Sequence, residues 1–107
     1  MSSTLENKPQ KFEKSVSVRA EDLPAATYVV KVPSTPEYCD EKDPFVQVIM
    51  GGKVLGKITF SSNGKTTWAV TLGSTFPGAE QKIEEFAQKN YDMIQRVYYH
   101  NQALAMA

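Results

Sequence analysis

The chain has 107 residues, a formal net charge of zero, 41% hydrophobic residues and 22% charged residues. This length and composition are typical of one globular domain and exclude global disorder. No apolar run is long enough to cross a bilayer, and the polar first ten residues do not resemble a signal peptide. The single cysteine, Cys39, excludes an internal disulfide and fits a reducing compartment, so we expect a cytoplasmic protein.

The first part of the chain predicts an arm, two strands and a loop. Residues 1–11 are polar and aperiodic, which predicts a mobile N-terminal arm before a single domain at 12–107. Apolar and polar residues alternate over 12–19, and residues 26–32 are rich in β-branched and aromatic side chains, so each segment predicts a strand. Residues 33–44 contain three prolines and a cluster of acidic side chains, which predicts a long loop.

The second part predicts a three-stranded meander followed by a helix. Its strands are expected within 45–72, joined by hairpins at Gly51-Gly52 and Asn63-Gly64, residues that tolerate positive φ. From Ala79 to about Tyr98 the apolar residues follow helical spacing, interrupted only by Asn90. We therefore expect an α+β fold with an antiparallel four- to five-stranded sheet (meander 45–72) packed by one C-terminal helix.

The charge is unevenly distributed, because the segment between Pro44 and Ala79 has three lysines and no carboxylate. Period-two alternation predicts that its lysines and threonines share the sheet face that the helix leaves uncovered. Lysines attract phosphates, and threonine hydroxyls donate hydrogen bonds to them. The predicted nucleic-acid-binding residues are Lys53, Lys57, Thr59, Lys65, Thr67 and Thr71. The arm lysines, Lys8, Lys11 and Lys14, would add contacts. The simpler interpretation is a solvated sheet surface, where lysine and threonine are common.

The run GKITFSSNGKTTWAVTLGSTFPGAEQKIEEFAQ, residues 56–88, resembles AP2-like and integrase arm-type DNA-binding domains. The shared features are the Asn-Gly hairpin, Trp68, Leu72-Gly73 and a helix containing Ala79 and Ala87. Those domains place a three-stranded sheet against one helix and read the major groove with the sheet, usually with arginines where this chain has none. The resemblance implies nucleic acid as the partner, with DNA favoured over RNA.

Little in the sequence suggests catalysis. The only histidine, His100, is near the C-terminus, and Cys39 is surrounded by acids that disfavour its thiolate. No ligand spacing for a metal is present. We therefore predict neither an enzyme nor a cofactor nor a metal site.

Apolar residues in excess of what one helix can cover predict a homodimer. The alternative function is a small protein-binding module or inhibitor of phage or plasmid type. It would bind a basic partner through the acidic 33–44 loop and the carboxylates of the helix.

Overall fold

The structure, a computed structural model, describes residues 9–19, 25–34, 43–61, 63, 65–70 and 78–106. Within these ranges the chain forms one five-stranded antiparallel sheet in the order of the sequence. The strands are β1 (Phe12–Val18), β2 (Ala26–Val32), β3 (Phe45–Met50), β4 (Lys53–Phe60) and β5 (Thr66–Val70). The α+β class is confirmed, and the meander extends over the whole sheet rather than over its last three strands alone.

The β3–β4 hairpin forms as its glycines predict. Gly51 and Gly52 have φ values of 60° and 80°, and the flanking residues Met50 and Lys53 are paired. Positive φ at both central positions is the requirement of the type I′ turn, whose twist matches that of the strands.

The β4–β5 hairpin also forms, and Asn63 contributes to it through its side chain, whereas Gly64 lies outside the described residues. No non-glycine residue in the described ranges has positive φ, so Asn63 does not use its tolerance of that region. Its side-chain oxygen instead accepts a hydrogen bond from the backbone N–H of Lys65 at 3.2 Å. The Ser61 N–H donates to the Lys65 carbonyl at 2.8 Å and closes the turn. Asparagine therefore acts here through its side chain.

The prediction of one C-terminal helix is wrong, because residues 78–106 form two: α1 (Ala79–Lys89) and α2 (Tyr91–Met106). Asn90 separates them with φ −104° and ψ 14°. Its side-chain Nδ2 donates to the Phe86 carbonyl at 2.8 Å, and its own carbonyl accepts the Ile94 N–H at 2.9 Å. Asn90 thus satisfies backbone groups at the end of one helix and the start of the next.

Both helices pack on the same face of the sheet, which we call the helix-covered face. The buried strand residues on it are Phe12, Val18, Tyr28, Val30, Val32, Val46, Val48, Ile58 and Phe60. The helices bury Ala79, Ile83, Ala87, Ile94, Val97 and Tyr98 against them. Trp68, which is opposite Ile58, joins this core, as the alternation predicts. The domain therefore has two layers with its core between them.

Asn101 joins α2 to the two chain segments at one end of the sheet. It is fully buried, and its side-chain oxygen accepts the Gln10 N–H at 2.8 Å. Its Nδ2 donates to the carbonyls of Gln10 and Pro33, each at 3.0 Å. Gln10 belongs to the predicted arm, whose residues 1–8 lie outside the described ranges. No helix in the described part of the chain is long and apolar enough to span a membrane.

Candidate nucleic-acid interface

The sheet face opposite the helices is called the open face. It consists of the strand residues that alternate with those of the helix-covered face. A row of directly opposed residues crosses all five strands on it: Glu13, Lys31, Gln47, Lys57 and Ala69. Neighbouring strands are about 4.8 Å apart, so the backbones of Lys31 and Lys57 are about 10 Å apart. We call these five residues the polar row. It brings two lysines and an amide together on one surface.

Two of the predicted threonines lie beside this row. Thr59 and Thr67 are directly opposite each other on β4 and β5. They are the next pair on the open face after Lys57 and Ala69. Thr67 is exposed and Thr59 is half-buried. The hydroxyls of both threonines therefore share a surface with the Lys57 ammonium.

Lys57 is held in place by an aromatic ring. Its Nζ lies 4.7 Å from the centroid of the Phe45 ring, within the range of a cation–π interaction. That ring packs edge-on against Tyr98 of α2 at 5.2 Å, and Phe45 is only 6% exposed. The position of this ammonium on the open face thus depends on packing that reaches back to the helices.

Lys53 does not extend the polar row. The β3–β4 register shifts between Val48 and Ile49, so that Val48 is opposite Gly56 whereas Ile49 is opposite Val54. Leu55 is the extra residue of this bulge, and it is buried. Simple alternation predicted Lys53 and Lys57 on one face and Val54 with Gly56. The bulge breaks that alternation and leaves Lys53 exposed at the hairpin, opposite Met50.

The remaining predicted contacts are dispersed. Lys65 is exposed at the β4–β5 turn, and Thr71 lies outside the described residues. Lys14 is in β1, aligned with Phe12 and Val16, and its Nζ lies 3.4 Å from the Asn90 side-chain oxygen. It is therefore on the side of the helices, and its contact with nucleic acid stays a prediction.

Sequence reasoning missed Lys31 and Gln47. Each has a polar side chain at an alternate position of a strand whose other residues are mostly apolar. The polar residue at an alternate position is visible in the sequence of each strand alone. Their alignment with Lys57 depends on the cross-strand register, which the sequence does not show.

Among the described residues, the Tyr99 phenol has a shifted pKa. Partial burial raises the pKa of the Tyr99 phenol, with smaller contributions from Tyr91 and Asp43, so this ring stays neutral near pH 7. No group of three or more histidine, cysteine, aspartate or glutamate residues suited to a metal ion occurs in the ranges that the structure describes.

Comparisons with models of known protein families, with curated proteins and with solved structures found no match. The likeness of residues 56–88 to AP2-like and integrase arm-type domains therefore stays a prediction from the sequence. A sheet of five strands with two helices is also larger than the three strands and one helix of that plan. Function can therefore be inferred only from the residues on the surface of this protein.

Proposed function

We propose that the protein binds the phosphate backbone of nucleic acid across the open face of its sheet. The observation behind this proposal is the alignment of Lys31, Gln47 and Lys57 next to the Thr59–Thr67 pair. Phe45 on this face joins the core, whereas Lys31, Gln47 and Lys57 are half-buried and keep part of their surface exposed to solvent. Glu13 is the carboxylate of the polar row, and it lies at the β1 edge, away from β3, β4 and β5.

The chemistry of these groups suits phosphates rather than base edges. Lysine ammonium groups supply attraction that is independent of sequence, and amide and hydroxyl groups add hydrogen bonds to phosphate oxygens. Contact between Lys57 and Phe45 limits the freedom of one ammonium before a ligand arrives, which reduces the entropy lost on binding. Following the resemblance of residues 56–88, we propose DNA rather than RNA as the ligand.

A salt titration tests the proposal. Binding of short fluorescein-labelled single-stranded and duplex DNA is measured by anisotropy for the parent and for the double variant Lys31→Gln with Lys57→Gln. The logarithm of the binding constant falls linearly with that of the salt concentration, by about 0.7 to 0.9 per phosphate contact. Loss of two contacts should therefore reduce the slope by about 1.4 to 1.8.

Two further double variants with the same change of charge make the test specific. Lys82→Gln with Lys89→Gln alters exposed helix residues and should keep the parent slope. Lys53→Gln with Lys65→Gln alters the two hairpin lysines and should reduce the slope less than loss of the polar-row pair. Failure of the parent to bind any oligonucleotide at low salt, or equal losses for all three double variants, would contradict the proposal.

The alternative, a protein-binding module for a basic partner, has less support. Most of the acidic loop, residues 35–42, lies outside the described residues. On the outer side of the helices, Lys82, Lys89 and Arg96 are exposed among the carboxylates, so that surface is mixed rather than acidic.

A further inference from the structure

The first strand is an edge of the sheet, and its outer side has the properties of a pairing site. In the described part of the chain, β1 pairs on one side only, with β2, over all seven of its residues. Alternate residues of an edge strand direct their N–H and C=O groups outward. Proteins commonly protect such an edge with charged side chains, a proline, a bulge or a very short strand. β1 has neither proline nor bulge and is not short, and its charged residues are Glu13 and Lys14 at one end of the strand.

A cleft of about 240 Å³ runs between this edge and α1. Its lining residues are Val16, Ser17, Lys82, Glu85, Phe86 and Lys89. Val16 and Phe86 are partly buried and pack against the core, so they form an apolar floor. Lys82 and Lys89 are exposed at the rim, whereas the Glu85 carboxylate lies 3.5 Å from the Gln81 amide nitrogen.

The charge around this edge favours an acidic partner. Lys11 and Arg19 flank β1, Lys14 is within it, and Lys82 and Lys89 are on the adjacent helix. Among the described residues, the carboxylates in the same region are Glu13 and Glu85. Antiparallel pairing with a second copy of this edge would bring two basic rims together, which is unfavourable. An acidic strand would meet complementary charge instead.

We propose that the outer edge of β1 binds an extended acidic segment of a partner protein by β-strand addition. One apolar side chain of that segment occupies the cleft between Val16 and Phe86, and carboxylates on either side of it meet Lys82 and Lys89. Backbone hydrogen bonds to β1 supply affinity, and the cleft supplies specificity. The surface and the sign of its charge differ from those of the basic-partner alternative, and the site is separate from the open face.

The spacing of the lysines defines the preferred peptide. Lys82 and Lys89 are seven positions apart on α1, which is about 10 Å along the helix axis. In an extended strand, the residues two before and two after a given residue point to the same side and are about 13 Å apart. Lysine side chains are long enough to bridge the difference. The matching pattern is therefore acidic, any, apolar, any, acidic.

A titration of the isotope-labelled protein followed by NMR tests this pattern. The probe is the peptide Thr-Glu-Thr-Ile-Thr-Glu-Thr, compared with Thr-Thr-Glu-Ile-Glu-Thr-Thr and Thr-Lys-Thr-Ile-Thr-Lys-Thr. The first peptide should shift amide resonances of β1 and α1 and slow hydrogen exchange at alternate β1 residues. The second, of identical composition, directs its carboxylates to the opposite face, and it should bind more weakly, as should the third.

The lysine variants separate this proposal from the nucleic-acid proposal. Lys82→Gln with Lys89→Gln should weaken binding of the first peptide about three- to tenfold, because two exposed ion pairs are lost. Lys31→Gln with Lys57→Gln should weaken DNA binding and not peptide binding. Equal binding of all three peptides, or shifts confined to the open face, would overturn the proposal. A third contrary outcome is slow hydrogen exchange of the β1 amides in the absence of peptide, in a protein that sediments as a dimer. The edge of β1 would then pair with the same edge of a second copy.

Discussion

Asn101 shows how much of the fold can depend on one polar side chain. Its amide satisfies three backbone groups, two on Gln10 and one on Pro33, in a site with no access to solvent. A buried polar group that loses its partner retains its desolvation cost. The residue therefore fixes the position of α2 relative to the start of β1 and the end of β2.

Replacement of Asn101 should be strongly destabilising. Asn101→Ala removes three hydrogen bonds and leaves their backbone partners buried, so we expect the free energy of unfolding to fall by about 2 to 4 kcal/mol. Urea denaturation followed by circular dichroism measures this loss. The control is Gln81→Ala on the exposed side of α1, which should change stability by less than about 0.5 kcal/mol. Similar midpoints for the two variants would mean that the Asn101 hydrogen bonds contribute little.

At the scale of the elements, the two hairpins and the helix break show which sequence signals determine local structure. The Gly51-Gly52 turn requires positive φ at both positions, so its sequence and conformation correspond directly. Asn63 and Asn90 act through side-chain hydrogen bonds to nearby backbone groups instead. Asparagine competes with regular hydrogen bonding in this way, which explains why one asparagine closes a turn and another divides a helix.

Substitution at Gly51 should separate the effect of conformation from that of side-chain size. Gly51→Asn should keep or raise stability by up to about 0.5 kcal/mol, because Asn-Gly suits a type I′ turn and restricts the unfolded chain. Gly51→Val should lower it by about 1 to 2 kcal/mol, because a β-branched residue is strained at a φ of 60°. Thermal unfolding of both variants measures the difference. A valine variant as stable as the asparagine variant would show that the turn adopts another conformation.

The sequence predicted the strands, the turns and the two faces of the sheet, because alternation and turn residues are local signals. It did not predict the division at Asn90, since one interruption of the helical spacing by a single polar residue is also compatible with one continuous helix. It also did not reveal the bulge at Leu55, which changes the face expected for Lys53 and Val54. The alignment of Lys31 with Lys57 depends on the register of two strand pairs, β2 with β3 and β3 with β4, and no single strand contains that information.

For the whole molecule, the burial of apolar side chains determines which of them are available for self-association. The apolar residues that predicted a homodimer are Phe45, Ile49, Leu55, Tyr98, Tyr99, Leu104 and Met106. Of these, Phe45, Leu55 and Tyr98 are buried within the chain. Among the described residues, the large apolar side chains that remain exposed are Met93 and Tyr99 on α2, at 47% and 40%.

We propose a homodimer whose interface includes Met93 and Tyr99 of α2. Sedimentation velocity of the parent at micromolar concentration should show two chains, and Met93→Asp with Tyr99→Asp should give a monomer, because buried charge opposes association. The variant Gln81→Asp with Gln88→Asp adds the same two charges at exposed positions of α1, and it should remain a dimer. A monomeric parent would refute the proposal.

Pairing of every strand with its neighbour in the sequence also affects how the chain folds. Each β-pairing closes a connection of at most twelve residues, the longest being 33–44, so the sheet can grow one strand at a time with a limited entropic cost at each step. The contact between Asn101 and Gln10, which are 91 positions apart, belongs to the docking of the helices. We therefore expect the sheet to form early and the helices to dock last. Each strand pairs with the strand that precedes it in the sequence, so few strands are unpaired at any stage of folding. Unpaired strand edges promote aggregation, and this topology limits their exposure.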